Sequence, residues 1–84
     1  MHLLVIYDIS EDRIRNKIAE VCKDYGLSRI QWSAFSGKLN TNRRQELHMK
    51  LTKTIKDKDG NIQLYPICSK DLNLKLEIDN GGVG

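Results

Sequence analysis

The stretch His2-Leu3-Leu4-Val5-Ile6-Tyr7-Asp8 constrains this chain more than any other. Successive side chains of a strand point to opposite faces, and here both sets are apolar: Leu3, Val5 and Tyr7 on one, Leu4 and Ile6 on the other. Such a strand is central and needs cover on both sides. Ser10, Glu11 and Asp12 follow at once, supplying a cap and acidic first-turn residues for a helix. The strand therefore delivers Asp8 to its C-terminal edge just before the chain turns back. In 84 residues two helices can cover one face of a sheet, and little chain remains for the other. A domain this short buries only about 60–65% of its unfolded surface, so a second copy packed on the open face is the economical cover.

The first helix carries Ile14, Ile18, Val21, Cys22 and Tyr25 as one apolar stripe, and Gly26 is its expected C-terminal stop. From Arg29 to Leu39 the pattern turns to period two, with Ile30, Trp32 and Ala34 against Gln31, Ser33 and Phe35. Gly37 is the only turn former in that stretch, so one long bent strand and a hairpin both stay open. Asn40 and Thr41 are caps for a second helix running to about Lys58, with Leu47, Leu51 and Ile55 as its inner row. Asp59-Gly60-Asn61 is a turn, and residues 62–67 read as a strand whose Pro66 favours an edge or an end. Leu72, Leu74, Leu76 and Ile78 alternate as a last strand, and residues 80–84 form a flexible tail. This order predicts an α+β fold, a ferredoxin-like βαββαβ sandwich with an extra C-terminal strand, as one domain over residues 1–79 and a homodimer.

A hydrophobic share of 39% with 30% charged residues is that of a soluble globular protein. The longest apolar run, Leu3 to Tyr7, is far too short to span a bilayer, and the features of a secretory leader are missing, so a cytoplasmic location without membrane partners is expected. Cys22 and Cys68 lack the spacing of a zinc ribbon or redox pair and read as free buried thiols. His2 and His48 stand apart from any serine–acid or metal-ligand pattern, and there is no glycine-rich phosphate loop. The net charge of +3 and pI near 9.0 only modestly favour a nucleic-acid partner.

Asp8 has two readings. Its carboxylate can cap the first helix, with Glu11 three residues later completing a capping box, and spacing alone favours this. It can instead be a hard oxygen ligand for Mg²⁺, and a two-fold dimer would then bring two such carboxylates to facing edges. Arg13, Arg15, Lys17 and Arg29 belong near the same strand end and along the first helix, as a solvated face or as a track for phosphates. Arg43, Arg44, Lys50, Lys53, Lys56 and Lys58 form a second basic population, with Glu46 and Asp57 the nearest acids. Tyr7, Trp32 and Phe35 read as core or interface aromatics.

The blocks Tyr7-Asp8-Ile9-Ser10, Arg15-Asn16-Lys17-Ile18, Tyr25-Gly26-Leu27, residues 29–37 (Arg-Ile-Gln-Trp-Ser-Ala-Phe-Ser-Gly) and Tyr65-Pro66-Ile67-Cys68 together resemble the CRISPR-associated protein 2 family, in order and spacing over about residues 2–79. The resemblance implies a ferredoxin-like homodimer whose last strand extends the partner's sheet, with Mg²⁺ at Asp8 of each subunit. It implies a metal-dependent endonuclease acting on single-stranded RNA or double-stranded DNA. The alternative it implies is a non-catalytic DNA-binding scaffold of the spacer-integration complex, with the CRISPR-associated protein 1 integrase as partner. By position Tyr7, Asp8, Arg15, Arg29 and Phe35 match residues of the family's nuclease activity, and Arg13, Arg15, Lys17, Arg29, Arg43 and Arg44 are the expected nucleic-acid contacts. Lys17 stands where some relatives carry Arg, which keeps the charge and loses the bidentate fork. Trp32 replaces a frequent Tyr, Ala34 a frequent Val and Ser36 a bulkier or acidic residue. A weaker likeness is to the virulence-associated protein D ribonucleases, which share the tyrosine–aspartate strand end.

Overall fold

The structure, a computed structural model, describes residues 2–67, and the apolar opening stretch is its first strand, β1, over His2–Asp8. After it come α1 (Asp12–Asp24), β2 (Ser28–Gln31), β3 (Ala34–Lys38), α2 (Thr41–Ile55) and β4 (Asn61–Ile67). The four strands lie in the order β2-β3-β1-β4, with every neighbouring pair antiparallel. That is the ferredoxin-like arrangement expected from the order of elements, with β1 inside the sheet. Pro66 falls on β4, the edge strand among the described residues, where a missing N–H costs least. The expected strand at Leu72–Ile78, Cys68, the domain limit at 79 and the tail at 80–84 lie outside the described residues.

Alternation along β1 sorts its side chains as the sequence requires. Leu3, Val5 and Tyr7 are buried, together with Phe35 of β3, Ile18 and Cys22 of α1, and Leu47 and Leu51 of α2. Full burial of one such side chain contributes about 1.5–3 kcal/mol, so this layer is the main source of stability. On the other face Leu4 is half-buried, while Ile6 and Tyr65 remain 38% and 45% exposed. Among the described residues the helices cover only one side of the sheet, and no helix is long and apolar enough to cross a membrane.

Three local details answer or correct the expectations. The stretch from Arg29 to Leu39 is a hairpin: β2 and β3 are joined by Trp32 and Ser33, with an irregularity in register between Arg29 and Gln31. Neither turn residue has a positive φ, so the turn lacks the local chemistry that favours a two-residue hairpin loop. It is held from outside, by the Tyr7 N–H donating to the Ser33 carbonyl at 3.0 Å. Second, α1 starts at Asp12 with Glu11 in the cap position and no side-chain cap hydrogen bond, so neither Asp8 nor Ser10 caps it. Its stop is as expected, with Gly26 at φ +83 after Tyr25. Third, Asn40 caps α2 by accepting the Arg43 N–H at 2.8 Å, but the helix ends at Ile55 rather than Lys58, because Lys56 turns to φ 48.

Candidate functional site

The end of β1 carries the site. Asp8 occupies the last position of the strand, on the sheet face away from Tyr7, and its side chain is exposed. No hydrogen bond or ion pair among the described residues engages its carboxylate, so the capping box is absent and the oxygens are free for a ligand. The main chain around it is tightly packed. Ile9 is buried and its carbonyl accepts a hydrogen bond from the Arg15 guanidinium at 3.1 Å. Gly60, at φ +150, lets the α2–β4 connection pass so close that a Cβ there would sit 3.1 Å from the Asp8 carbonyl oxygen.

Arg15 and Arg29 come from different elements and meet around one ring. Arg15, in the first turn of α1, also pairs with the Asp12 carboxylate, and its side chain is 21% exposed. Arg29 is exposed, donates to the Trp32 carbonyl at 3.3 Å and lies over the Phe35 ring at 5.1 Å. The guanidinium carbons of Arg15 and Arg29 are 5.4 and 5.6 Å from the Trp32 ring centroid. Trp32 itself is 69% exposed, which corrects its reading as a core aromatic.

Tyr7 and Phe35 lie beneath this cluster. Both are buried, with ring centroids 6.3 Å apart and planes inclined by 20°. The Tyr7 hydroxyl is buried without a hydrogen-bond partner among the described residues. Burial raises its pKa, Arg29 pulls it back, Cys22 adds to the rise and Arg15 again opposes it. Two positive charges thus act on a phenol that cannot reach solvent, and Phe35 gives the Arg29 side chain a floor to lie on.

The other sequence-selected cations are not gathered at one place. Arg13 and Lys17 line a groove of about 390 Å³ between the start of α1 and the end of α2, together with Glu11, Lys53, Lys56 and Lys58. Since α2 ends where α1 begins, this groove opens at the Asp8 end of the helical layer. Arg43 is elsewhere, over the Tyr25 ring at 4.4 Å and 3.6 Å from Glu46. Arg44 borders a mostly apolar groove with Leu3, His48, Leu64 and Pro66. The three lysines beyond α2's inner row belong with Arg13 and Lys17, which no local pattern shows because the two segments are about forty residues apart. His2 is structural, sharing a 2.6 Å hydrogen bond with Ser36.

Among the described residues no three His, Cys, Asp or Glu side chains cluster as metal ligands, so a cage of protein ligands is not formed. A single exposed carboxylate without competing partners does fit Mg²⁺, which is commonly held by one or two carboxylates and keeps several waters.

A sequence model described as CRISPR associated protein Cas2 matches residues 1–74. The chain is 46% identical over 79 residues to the CRISPR-associated endoribonuclease Cas2 of Desulforudis audaxviator, covering 94% of this chain and 74% of that one. It is 32% identical over 78 residues to a CRISPR-associated endonuclease Cas1/endonuclease Cas2 fusion of Thermoproteus tenax, covering 93% of this chain and 30% of the fusion. Its fold superposes on the crystal structure of Streptococcus pyogenes Cas2 with a TM-score of 0.80 at 24% identity, covering 94% of this chain and all of that one. With the signature blocks on the strands and helix that build the Asp8 end, and the family's sequence matched over most of the length, the chain belongs to the Cas2 family of CRISPR-associated proteins.

Proposed function

We propose that the chain is a Mg²⁺-dependent endonuclease of CRISPR adaptation, acting as a homodimer on phosphodiester bonds of single-stranded RNA or double-stranded DNA. The observation that carries this reading is the exposed, unengaged carboxylate of Asp8, next along the chain from a main-chain carbonyl that anchors Arg15. Phosphodiester hydrolysis needs negative charge neutralised at the scissile phosphate and a water held for attack. Asp8 would hold the metal, and Mg²⁺ bound there supplies Lewis acidity and charge neutralisation. Arg29, exposed and based on Phe35, binds a phosphate oxygen, while Arg15 holds the strand end and adds positive charge. Tyr7 and Phe35 act as positioning residues from the core side, since neither is exposed. A second copy on the Leu4 and Ile6 face would cover exposed apolar surface and bring a second Asp8 to the assembly. The name endoribonuclease carried by the Desulforudis relative supports the nuclease reading.

Asp8→Ala tests it. Metal-dependent cleavage should fall on the order of a hundredfold, with the mass in solution and the circular dichroism unchanged. Cleavage equal to wild type would remove Asp8 from the mechanism.

A second reading, a scaffold for the Cas1 integrase that binds duplex DNA without cutting it, is favoured by the groove of Arg13, Lys17, Lys53, Lys56 and Lys58 and by the fused Cas1/Cas2 relative. In that case charge reversal at Arg13 and Lys17 would abolish spacer integration, and Asp8→Ala would not. Binding would also weaken steeply with salt, by about 0.9 log units of affinity per decade of salt for each phosphate neutralised.

A further inference from the structure

Trp32 is the most exposed of the large apolar side chains among the described residues, and the nuclease reading leaves it unused. A lone exposed apolar side chain needs no explanation by itself. This one differs in its mounting and in its neighbours. The residue is fixed through its main chain: its carbonyl accepts from Arg29 at 3.3 Å, and the next carbonyl, Ser33, accepts the Tyr7 N–H at 3.0 Å. The ring is thus presented to solvent from a turn tied to β1 one residue before Asp8. Two guanidinium groups, of Arg15 and Arg29, lie over it with their carbons 5.4 and 5.6 Å from the ring centroid, and the residue still keeps 69% of its surface exposed.

An exposed indole with guanidinium groups beside it matches the two halves of a nucleotide, a flat π-surface and an adjoining phosphate. Proteins that take single strands use this combination, because every unpaired base has a free face while bases inside a duplex are stacked on one another. We infer that Trp32 is a nucleobase-stacking platform that selects single-stranded nucleic acid and, through Arg29 and Arg15, registers the adjoining phosphate toward the Asp8 end of the sheet. This rests on the nuclease reading only for the purpose of the registration; the stacking itself does not require cleavage. Trp32 is a specificity-determining residue in this scheme. Its substitution changes which strands bind, not the chemistry at the phosphate.

Trp32 is the only tryptophan of the chain, so its fluorescence reports the event directly. The dimeric or monomeric protein as isolated is titrated in EDTA with a ten-nucleotide oligoriboadenylate, the oligodeoxyadenylate of the same length, an abasic decamer that keeps the phosphates, and a closed hairpin duplex. Saturable quenching is expected with the base-bearing single strands and not with the abasic strand; the tighter of the two identifies RNA or DNA as the source of the base. Trp32→Leu, read by fluorescence anisotropy of labelled strands, should weaken single-strand binding by about fivefold to a hundredfold. It should leave hairpin binding within twofold. Trp32→Phe should keep most of the single-strand affinity. Quenching by the abasic strand equal to that by oligoadenylate would overturn the inference. So would a Trp32→Leu protein, folded by circular dichroism, that binds single strands within twofold of wild type. Absence of cleavage with the quenching retained would defeat the nuclease reading and leave the platform standing; cleavage without base-dependent quenching would do the reverse.

Discussion

Gly60→Ala is the substitution whose effect follows most directly from the geometry. Gly60 has φ +150, a backbone conformation that L residues rarely adopt, and a Cβ there would lie 2.9 Å from Ile9 Cγ1 and 3.1 Å from the Asp8 carbonyl oxygen. The backbone strain costs about 1–3 kcal/mol. The overlap adds about 1 kcal/mol or more, because Ile9 is buried and the Asp8 carbonyl is main chain, so neither can swing aside. Against this, alanine restricts the unfolded chain and returns about 0.4–1 kcal/mol. The net loss is about 2–3 kcal/mol, a large part of the marginal stability of a small domain. For a domain of this size it lowers Tm by about 10–20 °C. Urea unfolding followed by far-ultraviolet circular dichroism measures it, with both proteins at one concentration because association shifts apparent stability. In the folded fraction, the displaced Asp8 carbonyl should reduce the proposed cleavage as well. A loss under about 1 kcal/mol would refute the close approach between the α2–β4 connection and the end of β1.

Burial pushes the Cys22 thiol from 9.0 up to about 11, so above pH 9 the unfolded chain releases this proton while the native chain keeps it. Stability should therefore be unaffected by Cys22 below pH 9 and fall between pH 9 and 11, by on the order of 2 kcal/mol. Tyr7, also raised, adds in the same direction above pH 10, and urea unfolding of wild type against Cys22→Ala should show a flatter alkaline slope in the variant. Ile6 lies on the sheet face the helices leave open, so Ile6→Lys should convert a dimer to a monomer by light scattering while the far-ultraviolet spectrum stays native. A wild-type protein that is monomeric at micromolar concentration would refute the two-copy arrangement.

Where local sequence carries the physics, it could be read directly. The doubly apolar β1, the stripe Ile14, Ile18, Val21 and Cys22, the Gly26 stop and the Asn40 cap each depend on neighbours within a few residues, and each stands in the structure as read. The blocks around Asp8, Arg15 and Arg29 were likewise enough to point to the family that the sequence match then showed. The sequence by itself thus determined the run of strands and helices outside the Arg29–Leu39 stretch and the placement of β1 inside the sheet. Tertiary structure alone decided how those residues meet. The hairpin at Trp32 and Ser33 has no residue at positive φ, and Tyr7, some twenty-five positions earlier, donates a hydrogen bond to its Ser33 carbonyl. Asp8 is free because Glu11 takes the cap position, a choice of backbone path that spacing leaves open. Trp32 has the alternation of a buried residue and is exposed because it falls on that turn, beside two arginines from separate elements. Periodicity reports which face a side chain takes within its own element; whether anything covers that face depends on elements distant in sequence, and only packing settles it.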